Sequence, residues 1–155
     1  MDKKTPAERS ANMSAVKNKN TRPELFVRSI MHKSGYRYSL HRPDLPGKPD
    51  LVLPKYNTVI FVNGCFWHSH RNCKKAELPK SNVDFWRHKI KSNVERDKKN
   101  YSDLLELGWR VLVIWSCSCQ KKEVHLLFSQ IKEFLEGNEK FCEIGEVKNS
   151  SSVNQ

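Results

Sequence analysis

The chain has 155 residues, with 28 Lys and Arg against 17 Asp and Glu and a formal net charge of +11. That length fits one domain around a single core, no apolar run is long enough to span a membrane, and the polar opening MDKKTPAERSANMS lacks the apolar stretch of a secretion signal. The positive excess is confined to the first two thirds: residues 1–50 carry 11 basic against 5 acidic groups, 51–100 carry 11 against 4, and 101–155 carry 6 against 8. Such an excess is the electrostatic footprint of a phosphate-backbone partner, the bland alternative being a lysine-rich solvated surface. The cysteines at 65, 73, 117, 119 and 142 are odd in number. In a chain without a signal this favours metal ligands over disulfides and a reducing, cytoplasmic setting.

Residues 1–20 read as a basic arm, with Met13 and Val16 its only large apolar groups. TRPE then opens a helix: Thr21 is the N-cap, Pro23 suits the first turn and Glu24 completes a capping box. Leu25, Phe26, Ile30 and Met31 recur at helical spacing, and Gly35 ends the helix. YRYSLH reads as a strand. DLVLPKYNTVIFVNG reads as two strands joined by a turn at PKYN, the second apolar enough to be buried on both faces. Residues 64–80 form a loop. A long helix is predicted from Val83 to Leu107, with Phe85, Ile90, Val94, Tyr101, Leu104 and Leu105 on its apolar side and Gly108 as its cap. WRVLVIW is another buried strand, a last helix spans Glu123–Glu136, and residues 142–155 read as a disordered tail. This order of elements predicts an α/β sheet sandwiched by helices.

Cys65, His70 and Cys73 place three zinc-type ligands on one polar loop. A closed tetrahedral site needs a fourth, and Cys117 and Cys119 both follow a strand expected beside the one ending at Gly64. Buried thiols would not explain three such ligands in a polar loop. His68 lies between ligand candidates: it is a free imidazole able to move protons, a zinc ligand in place of His70, or a surface histidine. Asp50 stands at a strand start, a good mount for a divalent cation, although a turn-solvating Asp has the same pattern. Asp97 reads equally as a charged helix face, and Glu24 as the capping residue. Phe66 and Trp67 are either core residues or exposed aromatics able to stack on or wedge between bases.

Taken together, NMSAVKNKNTRPE, DLPGKPDLVLPKY, VIFVNGCFWHSH, FWRHKIKSNVERD and LGWRVLVIW closely resemble the very short patch repair (Vsr) endonuclease family over about residues 8–120. The resemblance implies a restriction-endonuclease-like fold related to the PD-(D/E)XK nucleases. It implies nicking of one strand of double-stranded DNA 5′ to the T of a T:G mismatch left by deamination of 5-methylcytosine. It also implies a functional link to a cytosine-5 methyltransferase, a monomer, a bacterial cytoplasmic setting, one structural Zn²⁺ and catalytic Mg²⁺. Matched residue by residue, the catalytic Asp is Asp50 and the active-site His is His68, with Glu24 and Asp97 as supporting acids. The zinc ligands are Cys65, His70, Cys73 and Cys117, and the intercalating residues are Phe66 and Trp67 with Met13 from the other groove. Two Mg²⁺ are expected on Asp50 and the Val62 carbonyl. The domain would then be 21–141, after the arm.

Three departures stand out. Val62-Asn63 replaces a Thr-His pair of the family's best-known member. His70 and Cys73 are one residue further apart than in that member. Ser116 stands where many members carry Glu before the zinc Cys. The rival readings are a nickase or restriction partner for a matched sequence, a zinc-braced DNA-binding module without catalysis, and a basic protein-interaction module.

Overall fold

The computed structural model describes residues 20–145, so Met13, most of the expected arm and the tail from 146 lie outside the described residues. Helix α1 (Arg22–Lys33) starts where the capping chemistry requires: Thr21 is extended, and its hydroxyl accepts from the Glu24 N–H at 3.4 Å. The reciprocal half of the box is displaced by one residue, because the Glu24 carboxylate accepts from the Asn20 N–H at 3.1 Å. Gly35 takes φ +82° beyond the end of the helix, the left-handed position that a residue without Cβ occupies most readily. The buried face of α1 is Glu24, Val27 and Met31, whereas Leu25 is 47% exposed, so the apolar face is turned from the expected one.

Five strands form one mixed sheet in the order β1 (Ser39–Leu40), β2 (Leu51–Leu53), β3 (Thr58–Asn63), β4 (Arg110–Trp115) and β5 (Phe141–Ile144). The pairs β1–β2 and β2–β3 are antiparallel; β3, β4 and β5 run parallel to one another. The turn between β2 and β3 is a single 3-10 turn, Pro54–Tyr56, closed by Asn57 at φ +53°, which short polar side chains tolerate. The crossover from β3 to the parallel β4 runs through helix α2 (Val83–Glu106), and that from β4 to β5 through helix α3 (Val124–Glu136).

The alternation of side chains along the strands sorts them into two cores. Leu51, Leu53, Ile60, Leu112 and Ile114 pack against Val27 and Met31 of α1 and Leu127, Ile131 and Phe134 of α3. Val52, Val59, Phe61, Val111 and Val113 face the other way, onto Leu104 of α2. Burial on both faces is why β3 and β4 read as continuous apolar runs. Among the described residues no helix is long and apolar enough to cross a membrane.

Three expectations change. The strand expected over YRYSLH is reduced to Ser39–Leu40, both exposed on the sheet edge. Phe85 is 60% exposed instead of lying on the apolar side of α2. A strand, β5, occupies residues expected at the start of the tail; only Ile144 of its four residues is buried, too short a pattern to register as a period.

Arg110 fastens the end of α3 to the sheet. Its guanidinium donates to the carbonyls of Phe134, Leu135 (3.3 Å), Gly137 (3.0 Å) and Glu139 (2.8 Å), and lies 4.4 Å from the centroid of the Phe134 ring. Phe134 and Leu135 are in the last turn of the helix, where carbonyls lack their full intrahelical partners, and Gly137 and Glu139 are in the segment that follows. Arg110→Ala is expected to lower stability by about 2–3 kcal/mol, the scale of a few part-exposed charge-assisted hydrogen bonds. Arg110→Lys should recover less than half, because an ammonium cannot span the fork. Urea denaturation of the two variants measures this.

Candidate active site and metal centre

Strands β3 and β4 pair in parallel with Asn63 opposite Trp115, so the segments leaving their carboxyl ends emerge side by side. Cys65 lies two residues past one strand and Cys117 two past the other. The Cys65 N–H donates to Ser116 Oγ at 3.2 Å, and the same hydroxyl lies 3.2 Å from Cys65 Sγ. The loop after Cys65 is tightly wound: the N–H groups of His68 and His70 donate back to the carbonyls of Gly64 (3.1 Å) and Cys65 (2.9 Å). Ser69 (φ +53°) and Asn72 (φ +57°) make its reversals. His70 is thereby turned inward, stacked on the Trp115 ring with centroids 4.3 Å apart.

The donor atoms of Cys65, His70, Cys73 and Cys117 all lie within 4.8 Å of one another, and Cys117 Sγ is 3.5 Å from His70 Nδ1. Bonds of about 2.0–2.3 Å to one tetrahedral ion give donor–donor edges of just under about 4 Å, so this set fits a zinc-type cation. Burial, followed by the neighbouring Cys65 and Cys73 thiols, pushes Cys117 up to about 12. A thiol raised in this way keeps its proton until a cation displaces it, so metal binding here would release protons. Of the alternatives left open by spacing, the fold gathers Cys117 and His70. Cys119 Sγ instead faces the Trp115 carbonyl at 3.8 Å and packs against the α1/α3 core.

A second cluster lies where β2 begins. Asp50 Oδ2 accepts from the Val62 N–H of β3 at 2.7 Å, and in an extended strand the carbonyl of the same residue leaves toward the same edge. Glu24, 1% exposed, accepts on Oε2 from Arg28 Nη2 and lies 2.9 Å from His41 Nε2. His41 Nε2 is 3.7 Å from Asp50 Oδ1. One ligand atom each from Glu24, His41 and Asp50 falls within 4.8 Å of the others. Burial pushes the Asp50 carboxyl up to about 8; the Val62 N–H and, more weakly, Arg28 oppose this, while the Glu24 charge adds to it. A buried acid beside a second one fits a divalent cation, which would lift that penalty.

His68 meets Asp97 of α2, Nδ1 to Oδ2, at 2.6 Å. A ring that donates from Nδ1 to a carboxylate presents Nε2 as its basic nitrogen. The neighbours of Asp97 on α2 hold the same region. Asn93 donates to the Trp67 carbonyl at 3.0 Å, and Asn63, 4% exposed, donates from its amide to the Tyr101 hydroxyl at 2.7 Å. Burial raises the Tyr101 hydroxyl well above its ordinary range, which keeps it neutral. Asn93, Asp97 and Tyr101 thus form a polar stripe at four-residue spacing. That period was visible in the sequence, but Tyr101 had been counted as apolar. His41 left no such trace, because it ends a short edge strand at φ +45° and only the fold turns it inward. Arg28 was legible as the i+4 partner of Glu24.

Phe66 and Trp67 pack edge-on to each other (centroids 5.1 Å) and to Trp86 of α2 (5.4 and 5.8 Å), which in turn meets the exposed Phe85 (5.1 Å). The aromatics of the loop therefore form one half-buried ledge with the first turn of α2, two members of which the sequence reading had not associated with it.

A family model described as DNA mismatch endonuclease Vsr matches residues 1–75. The Type II nicking enzyme V.XorIIP of Xanthomonas oryzae is 50% identical over 116 residues, 75% of this chain and 85% of that protein. The chain belongs to the Vsr family. The DNA mismatch endonuclease Vsr of Escherichia coli is 42% identical over 117 residues, 76% of this chain and 74% of that protein. The Type II nicking enzyme V.NmeAIP of Neisseria meningitidis is 44% identical over 120 residues, 77% and 85% of the two chains. As a member of the Vsr family the chain is a DNA endonuclease, and its basic first two thirds suit that substrate.

The four-ligand cluster gives a direct expectation. If the cluster holds a zinc-type cation, Cys117→Ser should lower the metal content, and the melting temperature by several degrees, whereas Cys119→Ser and Cys142→Ser should keep the full metal content. Elemental analysis and thermal melting of the three variants read the difference.

Proposed function

We propose that this endonuclease has a restriction-endonuclease-like, PD-(D/E)XK-related core and nicks one strand 5′ to the T of a T:G mismatch by hydrolysing the phosphodiester. The observation that carries the reading is the joining of three devices on one six-residue stretch: Cys65 and His70 in the metal cluster, His68 on Asp97, and Phe66 and Trp67 on the aromatic ledge. Recognition and cleavage then occur at one place.

Divalent cations, two Mg²⁺ in this reading, held by Asp50 and the Val62 carbonyl supply Lewis-acid polarisation and charge neutralisation at the scissile phosphate. His68 takes a proton from the attacking water through Nε2, and Asp97 fixes its tautomer and stabilises the imidazolium that forms. Glu24, oriented by Arg28 and His41, aligns Asp50 and the water around it. The zinc cluster has no reacting role; it braces the loop. Phe66 and Trp67, with Met13 from the opposite groove, wedge the mismatched step open. A T:G wobble pair stacks less well than a matched pair, so unstacking it costs less than the few kcal/mol of an ordinary step, and each aromatic returns about 1–3 kcal/mol by stacking on an exposed base. The protein acts as a monomer in the bacterial cytoplasm, alongside a cytosine-5 methyltransferase whose methylated sites generate the mismatch by deamination.

A second reading, nicking of a matched sequence, draws on relatives named as Type II nicking enzymes. Cleavage of T:G and T:A versions of one duplex separates the two: the proposal expects strong preference for T:G, and equal rates would support the matched-sequence nickase.

Asp50→Asn should abolish cation-dependent nicking while zinc content and duplex binding persist. His68→Ala should slow single-turnover nicking by roughly 10²–10⁴, the usual contribution of a positioned acid–base group, again with zinc retained. Trp67→Ala should keep its zinc and lose discrimination between T:G and T:A, and not only overall affinity. Unchanged mismatch preference in both Trp67→Ala and Phe66→Ala would return the ledge to a packing role.

A further inference from the structure

Beside the His68–Asp97 pair lies a cleft of about 610 Å³ between the metal loop and α2, lined among others by Arg71, Lys74, Glu77 and Lys98. Each wall continues from one member of that pair: Ser69 follows His68 on the loop, and Lys98 follows Asp97 on the helix. The cleft and the His68–Asp97 pair are thus joined through neighbouring residues of one loop and one helix. Three cations face it against the single carboxylate of Glu77. Arg71, Lys74 and Lys98 are exposed, and among the described residues none of them is in an ion pair. On α2, Arg87 pairs with Asp84 and Lys99 with Asp103, while Lys89, Lys91 and Arg96 share the unpaired state of Lys98 but do not line the cleft. Three positive groups around one concavity give it a positive potential that favours an anion.

We propose that this cleft seats the phosphates of the nicked strand next to the scissile one, with Arg71, Lys74 and Lys98 as the contacts. The proposal rests on the nuclease reading above and adds a strand-tracking subsite to it. The metal loop then has two tasks, because Arg71 and Lys74 of the cleft stand directly beside the ligand candidates His70 and Cys73, which also line it. Glu77 rejects an anion placed at the rim and so favours one register of the strand.

The test measures duplex binding without cleavage, in the absence of divalent cation, at several salt concentrations. Each phosphate contact contributes about 0.9 to the slope of log affinity against log salt. The triple variant Arg71→Gln, Lys74→Gln, Lys98→Gln should show a slope shallower by about 2–3, whereas Lys33→Gln with Lys132→Gln, on the opposite face of the sheet, should not. Lys98→Gln alone, outside the metal loop, should remove about one and keeps the test valid if the triple variant loses zinc. Neutral methylphosphonates placed singly beside the nick should weaken the wild type at two or three positions and the triple variant at none of these. Wild-type slopes in both cleft variants, or the same methylphosphonate penalties in the triple variant, would overturn the proposal. A wild type that binds with the cleft-dependent slope but nicks no duplex would overturn the nuclease reading and leave the cleft standing.

Discussion

The parallel pairing of β3 with β4 is the constraint from which both clusters follow. Its register sets Asn63 against Trp115, so that Cys65 and Cys117 leave the sheet side by side. The buried apolar runs that make these strands pair also make the register costly to slip, since one residue of shift would exchange the two cores. On its other edge β3 pairs with β2, which brings Asp50 to the Val62 N–H. One central strand thus fixes the Cys/His cluster through its end and the carboxylate cluster through its neighbour, and α2, which crosses from β3 to β4, supplies Asp97 to His68.

The loop that carries the chemistry has little core of its own. Cys65 and His70 are buried, but Phe66, Trp67 and His68 are not fully so. Backbone hydrogen bonds within the loop, the Asn93 contact to the Trp67 carbonyl and the four-ligand cluster replace the burial that an ordinary loop of this length lacks. In the proposed function this firmness lets the aromatic side chains press against stacked bases, the load passing into α2 and the sheet.

The elements most legible in the sequence were those whose chemistry is local. The cap of α1, the turn at Asn57, the length of α2 and the apolar runs of β3 and β4 each depend on residues near in the chain. The metal loop was legible because three soft ligands within nine residues are rare outside such sites. The choice between Cys117 and Cys119 was not, since it depends on which thiol the turn after Trp115 directs toward the loop. His41 and Trp86 escaped for the same reason: their contacts, to Glu24 and to the loop aromatics, are made between distant segments, and neither stands in a pattern with a period. Phe85 shows the converse error, an aromatic at core spacing that stands at the exposed first turn of its helix. Asn63 lies where the family's best-known member has an imidazole, and here it is spent on the Tyr101 hydroxyl, so His68 is the one imidazole the loop brings to Asp97.

The central claim is that the four-ligand cluster holds His68 against Asp97. The ring proton on His68 Nδ1, donated to a carboxylate at 2.6 Å, should give a strongly downfield nitrogen-coupled proton resonance. That resonance should be present in the zinc-loaded protein, disappear when zinc is removed by a chelator, and return on adding zinc back. A resonance that persists unchanged in fully zinc-free, folded protein would contradict the account, because the pair would then be held without its brace.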